Sequence, residues 1–298
     1  MNNVYLRSKN SLKRIILNYL LALLPLILAG FYKNGIKLYL NGLVSIYGLF
    51  KPLIFDILGF IIGIIVNIIY IKLIKKDSLK GCLFSSFYPI YGLLIASTIS
   101  INTNILLFII CTFIILFISN FIKENKVNLI ALTSLIIIFI SKILGNFTFL
   151  NIYEKSNTLT LNSIDYLIGR GSGGINTSHV LLLIVSLIIL CNMKTYKKEI
   201  PLYTSIFYSL FMIIYCVVIN KPGLILDNIF ANGILFSFVF IAPDSLSSSY
   251  TNKGKFIYSL IISIATFGLY LIYPPLASLG GIIIASIMHS IIDKICER

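Results

Sequence analysis

The stretch GILFSFVFIAPDSLSSSYTNKGKFIY, residues 233–258, decides how we interpret the fold. An apolar run that is too short to cross a bilayer stops at Pro243-Asp244, and residues rich in hydroxyl groups follow it. A spanning helix needs about 20 apolar residues, and backbone groups without partners in hydrocarbon cost several kcal/mol each. Such a break survives only where it lines a cavity or is buried in protein, so we predict a functional centre here.

The rest of the chain has the composition of a membrane protein. Hydrophobic residues make up 58% and charged residues 11% of the 298 residues, whereas soluble domains average about 25% charged residues. The net charge of +14 comes from short basic clusters between apolar runs, which indicates membrane topology and not a nucleic-acid partner. We therefore predict an all-α, multi-pass membrane protein.

Ten apolar runs of span length follow one another along the chain. They cover residues 15–31, 57–74, 83–100, 105–122, 127–145, 178–193, 200–219, 229–246, 255–273 and 275–293. We interpret residues 36–56 as an interfacial or re-entrant piece and not as an eleventh span, because Lys37, Lys51, Pro52 and Asp56 interrupt it.

The positive-inside rule orients these runs. With ten spans and a cytoplasmic N-terminus, 17 of the 24 Lys and Arg residues fall on the cytoplasmic side. An error of one span would exchange the sides of all later loops and remove this asymmetry. We predict that both termini are cytoplasmic, that the hydrophilic connection 146–177 faces outward, and that the loop after Pro243 faces inward.

The ten runs divide into two halves of five, residues 1–145 and 178–298, which the outward connection joins. The third run of each half contains a proline, Pro89 or Pro243. An odd number of spans requires the second half to be inverted, and paired helix breaks are typical of inverted-repeat proteins. Two incidental kinks are the alternative, since proline is common in membrane helices.

Metal and stand-alone enzyme sites find little support in the sequence. The five cysteines are far apart and form no CxxC pair, and neither His179 nor His289 has a second histidine nearby. No Walker loop, catalytic triad or dinucleotide fingerprint is present in the sequence. We therefore predict no metal ligands and no free-standing hydrolase or NTPase.

Two motifs resemble those of one membrane family. Residues 242–255, APDSLSSSYTNKGK, align without gaps with an ATDPVTSPVTPKGK-type signature and match it at Asp244, Ser248, Thr251 and Lys253-Gly254-Lys255. Residues 171–178, GSGGINTS, look like a GSIGETS turn with one inserted residue and without its glutamate. Weaker similarity runs through residues 20–38, 91–98, 128–137 and 273–293. Over nearly its whole length the chain resembles the D subunits of Rnf-type electron transport complexes and the homologous B subunits of sodium-pumping NADH:quinone reductases.

This resemblance implies a urea-transporter-like scaffold of two inverted five-helix halves. It also implies FMN bound to a threonine through a phosphoester, within a D-x-x-[ST]-G-A-T pattern just before the GSIGETS turn. In residues 154–160, EKSNTLT, Thr160 falls at that position, with Glu154 in place of the aspartate and Thr158-Leu159 in place of Gly-Ala. The expected cofactor is FMN, covalently bound at Thr160, or riboflavin; an ordinary polar loop is the alternative.

The residues themselves suggest how a flavin could be held. Backbone N–H groups of Ser172, Gly173 and Gly174 suit a phosphate or a ring carbonyl, because glycine permits close approach. Thr177 or Ser178 could cap the next helix, and a plain capped helix start is the alternative for the whole turn.

A second candidate lies at the break quoted above. Asp244 is the only acidic residue of its apolar run, and intramembrane carboxylates are functional by default. We expect Asp244 and Ser248 to bind a cation, a flavin or a partner subunit. A carboxylate that only caps the following turn is the alternative.

The sequence thus predicts a membrane subunit that relays electrons through bound flavin, coupled to Na⁺ or H⁺ movement, with donor and acceptor sites in other subunits of the complex. A transporter or channel for a small solute on the same scaffold is the alternative, because the flavin motif has changed.

Overall fold

The computed structural model describes residues 12–72, 86–122, 127–147, 149 and 163–297. All regular structure in these residues is helical, which confirms the predicted all-α class. In chain order the helices are α1 (Leu12–Leu40), α2 (Ile46–Tyr70), α3 (Tyr88–Thr98), α4 (Ile105–Ser119), α5 (Leu129–Ile143), α6 (Ser163–Leu167), α7 (Val180–Cys191), α8 (Glu199–Val218), α9 (Pro222–Ile241), α10 (Asn252–Ile272) and α11 (Pro274–Cys296).

Six of the described helices are long and apolar enough to cross a membrane: α1, α2, α8, α9, α10 and α11. Three more, α4, α5 and α7, are apolar but have only 12 to 15 residues. Each of the ten predicted runs overlaps one of these helices or the 11-residue α3. The chain is therefore a multi-pass membrane protein, and its count of ten spans stays a prediction.

Side-chain caps define where three of these helices begin. The side-chain oxygens of Asn104, Asn128 and Thr251 accept hydrogen bonds from the backbone N–H groups of Leu106, Ala131 and Gly254, at 2.9 to 3.0 Å. An N-cap of this kind pairs one of the four N–H groups that a helix start leaves without an internal partner.

Residues 36–56 differ from the prediction. Residues 36–40 continue α1 through a π-helical turn, and residues 46–56 form the first turns of the spanning helix α2. The polar residues that suggested an interfacial piece find partners: the Lys51 ammonium lies 5.7 Å from the centroid of the Phe55 ring, and Asp56 accepts hydrogen bonds from Asn176. Local sequence could not reveal the partner of Asp56, because it lies 120 residues away.

Glycines let α2 and α3 pack backbone against backbone. A Cβ on Gly59 would lie 2.3 Å from the carbonyl oxygen of Gly92, and one on Gly63 would lie 2.2 Å from that of Tyr88. Small residues of this kind allow the close helix contacts of membrane proteins. This contact fixes α3, which joins the two candidate sites.

The two prolines that suggested an internal repeat occupy different places. Pro89 lies in the first turn of α3, whereas Pro243 follows the last residue of α9. The break inside α9 lies at Asn232 and Gly233, with φ values of 58° and 70°. The prolines are therefore not equivalent positions of two halves, and the inverted repeat stays a prediction.

Both ends of the described chain lie on the same face. Ile15 and Tyr19 of α1 line one cavity with Pro243 and Asp244, and Asp293 of α11 binds the loop that follows them. We call this face inner and the opposite face outer, according to the predicted orientation.

Candidate functional site

The glycine turn, residues 171–178, is a buried segment between the outer connection and α7. Its backbone N–H groups at Ile175 and Asn176 donate to the carbonyl oxygens of Ile99 and Ser97, at 3.0 and 3.1 Å. The backbone N–H of Asn232 donates to Ser172 O at 2.8 Å. The turn therefore lies between the C-terminal end of α3 and the break in α9.

The glycines of this turn allow close contact with protein groups. A Cβ on Gly174 would lie 2.5 Å from Thr98 O, and one on Gly173 would lie 2.8 Å from Thr177 Oγ1. Close approach was predicted, but the partners in the described residues are the end of α3 and the turn itself.

The predicted helix cap is wrong. Helix α7 begins at Val180, and its N-cap residue, His179, makes no side-chain cap bond. Thr177 Oγ1 donates weakly to Gly174 O at 3.4 Å instead, and Ser178 Oγ is buried with no hydrogen-bond partner among the described residues. Thr177 is held by the turn, where its side chain packs against Gly233.

Asp56 is a buried carboxylate that the sequence reading did not assign to the site. The side-chain amide of Asn176 donates to Asp56 Oδ1 and Oδ2, at 2.9 and 3.1 Å, and to Ser97 Oγ at 3.1 Å. Asp56 is 5% exposed and lies in the interior of α2. An acidic residue inside an apolar run was the available signal, and we had interpreted it as evidence against a span.

Helix α1 holds the turn from the other side. Asn34 Nδ2 donates to Ile175 O at 2.7 Å, and Lys33 Nζ donates to Gly171 O. Both residues belong to the π-helical turn of α1, Tyr32–Ile36. A π-helical turn inside a helix is frequently associated with a functional site, and here it directs two polar side chains at the glycine turn.

An outer cavity of ≈ 310 Å³ lies beside this turn. Lys33, Lys37, Arg170 and His179 contribute to its wall, together with apolar residues such as Leu167 and Leu181. The Arg170 guanidinium forms a salt bridge of 2.6 Å with Asp165 of α6. The cavity surface is almost wholly apolar, although basic residues stand in its wall.

The Pro243 loop, residues 242–251, forms a second site on the inner face. Tyr91 Oη donates to Asp244 Oδ1 at 2.7 Å, and Ser247 Oγ donates to Asp244 Oδ2 at 2.8 Å. Asp244 therefore joins the start of α3 to the end of α9, and it also orders its own turn through Ser247. The local cap, which was the alternative for this side chain, fits this geometry, and the binding of a cation, a flavin or a partner subunit stays a prediction.

Lys197 holds the same loop from the connection between α7 and α8. Its Nζ donates to Ser248 O and Ser248 Oγ, each at 2.7 Å, and Ser248 Oγ donates to Asp244 O at 2.6 Å. Burial lowers the pKa of Lys197 to about 8, although the charges of Asp244 and Asp293 raise it. Ser248 is therefore part of the support of the loop.

Asp293 near the end of α11 orders the second half of the loop. Its carboxylate accepts hydrogen bonds from Ser249 Oγ, from Thr251 Oγ1 at 3.0 Å, and from the backbone N–H groups of Tyr250 and Thr251 at 3.3 Å. Asp293 is buried, and this set of donors satisfies its charge. The sequence analysis missed it, because a carboxylate three residues from a helix end resembles a surface residue.

The two candidate sites lie at opposite ends of α3. An inner cavity of ≈ 150 Å³ has Tyr19, Tyr91, Phe240 and Asp244 in its wall, whereas the glycine turn binds Ser97 and Ile99. Of the predicted cofactor-binding residues, Ser172, Gly173, Gly174, Thr177 and Ser178 thus belong to the outer site, and Asp244 and Ser248 belong to the inner one. Thr160 lies outside the described residues.

Comparison with known proteins identifies the family. No curated protein matches the chain, but the model of the NQR2, RnfD, RnfE family matches residues 1–298. The match covers both motifs, the glycine turn and the Pro243 loop, and it agrees with a helical membrane scaffold. The chain belongs to the NQR2, RnfD, RnfE family and is a membrane subunit of an Rnf- or Nqr-type complex.

Proposed function

We propose that this subunit relays electrons through a flavin bound at the outer cavity and that the relay is coupled to Na⁺ or H⁺ movement. The observation that supports the proposal is an apolar cavity directly beside the glycine turn, with basic residues in its wall. The chain acts in the cell membrane with both termini in the cytoplasm, and other subunits supply the electron donor and acceptor.

The residues of the outer cavity fit FMN. A phosphate dianion needs cationic or N–H donors, and Lys33, Lys37 and Arg170 line the cavity. The planar ring system needs apolar walls, which Leu167, Leu181 and their neighbours provide. When bound, the flavin supplies a group that accepts and releases electrons one or two at a time.

Chain length is compatible with attachment at Thr160. Ser163, where α6 begins, is three positions after Thr160, and three chain steps span at most about 11 Å. Helix α6 ends at Leu167, which lines the cavity. In this proposal Thr160 anchors the flavin phosphate, Lys37 and Arg170 offset its charge, and the glycine turn closes the inner side of the site.

The inner cavity does not fit a flavin. Its volume of ≈ 150 Å³ resembles that of engineered cavities that hold a benzene molecule, and the three-ring flavin system is larger. We therefore assign FMN, or riboflavin in its place, to the outer cavity only. Asp244 and Ser248 are proposed to steer a cation or a partner subunit at the inner face.

A charge-reversal variant tests the cavity. We expect Lys37→Glu to lower the flavin content of the purified subunit, because the new carboxylate repels the phosphate. Lys51→Glu is the matched control, since Lys51 lies at the outer end of α2 and does not line the cavity. Flavin absorbance per polypeptide measures both variants. Equal flavin loss in the two variants, or full retention in Lys37→Glu, would contradict the assignment.

A further inference from the structure

Asp56 has fewer polar partners than a buried carboxylate needs. An ionised carboxylate has about four acceptor sites, yet within the described residues the side-chain amide of Asn176 is its hydrogen-bond partner. Asp293, which is equally buried, accepts four hydrogen bonds and provides the comparison within the same chain. Asp56 is therefore short of positive charge or of donors.

The charged and titratable groups of neighbouring elements have other partners. Helix α2 packs against α1, α3 and α4. Lys33 of α1 donates to Gly171 O, and Lys37 lies over the Tyr32 ring. Lys51 of α2 lies over the Phe55 ring. The remaining groups are Tyr88 of α3, which bonds to Ser119, Tyr91 of α3, which bonds to Asp244, and the free thiol Cys111 of α4. In the part of the chain that the structure describes, no cation pairs with Asp56.

The amide that faces Asp56 has an unpaired oxygen of its own. Asn176 is fully buried, and its Oδ1 has no hydrogen-bond partner in the described residues. A Cβ on Gly30 would lie 2.1 Å from Asn176 Oδ1 and 2.6 Å from Ile175 O; Ile175 O accepts from Asn34, so the amide oxygen is the unpaired acceptor of the two. The Asp56 cluster thus contains more oxygen acceptors than hydrogen donors.

Rotation of the Asn176 amide by half a turn would turn its oxygen toward the Asp56 carboxylate. Amide oxygen and nitrogen are nearly isosteric, so the two orientations fill the same space. In the rotated form the amide oxygen faces the carboxylate and the NH₂ group faces the side of Gly30 and Ile175 O. Two oxygens at hydrogen-bond distance then require a proton or a small cation between them.

We propose that Asp56, together with Asn176 and Ser97, binds one monovalent cation, a proton or Na⁺. An uncompensated carboxylate at this depth in a membrane is costly, and one added positive charge neutralises it. When a proton binds, the carboxyl group of Asp56 donates a hydrogen bond to the Asn176 oxygen. When Na⁺ binds, the side-chain oxygens of Asp56, Asn176 and Ser97 are its ligands, because alkali cations are bound by oxygen atoms. Flavin is not required for binding, so this proposal is tested separately from the proposed function.

Infrared difference spectroscopy of the full chain in lipid nanodiscs separates the two ions. In buffer without Na⁺ at neutral pH, we expect a protonated-carboxyl C=O band that is lost in Asp56→Asn. Asp227→Asn is the matched control, an aspartate of α9 that has other polar partners, and we expect it to keep the band. Potassium at equal ionic strength controls for salt.

The outcomes are distinct. A band that Na⁺ leaves unchanged identifies a proton site. A Na⁺ site is identified by a Na⁺-specific loss of the band or by a Na⁺-specific rise in melting temperature, if Asp56→Asn abolishes that response. A wild-type chain with neither the band nor a Na⁺-specific response would overturn the proposal, as would a response that persists in Asp56→Asn. If Asp56→Asn does not fold, Asn176→Ala provides the second variant, and we expect it to shift the band or weaken the Na⁺ response.

Discussion

Gly30 shows how tightly the outer site is packed at the level of single residues. A Cβ at this position would lie 2.1 Å from Asn176 Oδ1, so we expect Gly30→Ala to displace the glycine turn. Overpacking of a filled interior costs about 1–3 kcal/mol, which thermal unfolding in detergent measures. Gly268→Ala is the control, because a Cβ there meets no atom within 4 Å. Equal melting temperatures for the two variants would show that the turn tolerates displacement.

Lys197 gives the inner site a pH dependence. Burial lowers its pKa to about 8, below the value of about 10.4 for an unfolded chain. Between these values the unfolded chain binds more protons, so the Lys197 contribution makes the free energy of unfolding rise as pH increases from about 8 to about 10. We expect Lys197→Gln to remove this part of the slope in thermal unfolding. Parallel pH profiles for the two proteins would contradict the lowered pKa.

Residue-level prediction from sequence succeeded where a signal was local. Asp244 stands out inside its own apolar run, and its carboxylate lies at the break, bonded to Tyr91 and Ser247. The pairing of Asp56 with Asn176 joins positions 120 residues apart, and no local pattern contains it. The predicted caps at Thr177 and Ser178 failed for a similar reason, because contacts with distant residues place the turn and delay the helix start to Val180.

At the scale of elements, the Pro243 loop depends on α11. Asp293 accepts hydrogen bonds from Ser249, Tyr250 and Thr251, so we expect Asp293→Ala to release the loop. Hydrogen bonds to a charged group contribute about 1.5–3 kcal/mol each. Hydrogen exchange should then increase in residues 244–254. Glu297→Gln serves as the control, since Glu297 accepts from Tyr250 Oη at an exposed position. Unchanged exchange in Asp293→Ala would exclude this anchoring role.

Hydrophobic runs predicted where the helices lie better than how they end. Apolar runs identify helices because each lipid-facing turn must be apolar, and every predicted run overlaps a described helix. The ends of α3 and α9 are set by tertiary partners: the glycine turn pairs with the last carbonyl groups of α3, and Asn232 of α9 pairs with Ser172. Residues 46–56 were misinterpreted because polar residues can enter a span when a distant segment satisfies them.

For the whole molecule, α3 connects two chemically different sites. Its first turns bind Asp244 through Tyr91, and its last carbonyl groups bind the glycine turn. The outer site has basic groups and a cavity of ≈ 310 Å³, whereas the inner site has a carboxylate and a cavity half as large. A single rigid helix of 11 residues, about 16 Å long, therefore separates the proposed flavin from the inner face.

The most direct test of the flavin relay is peptide mass spectrometry of the chain, produced in a host with an active flavin transferase. We expect the mass of FMN on the peptide that contains Thr160, its loss in Thr160→Ala, and its retention in Thr158→Ala, because Thr160 occupies the attachment position of the family pattern. An unmodified peptide from a purified chain that also lacks non-covalent flavin would contradict the account and favour a solute transporter or channel on this scaffold.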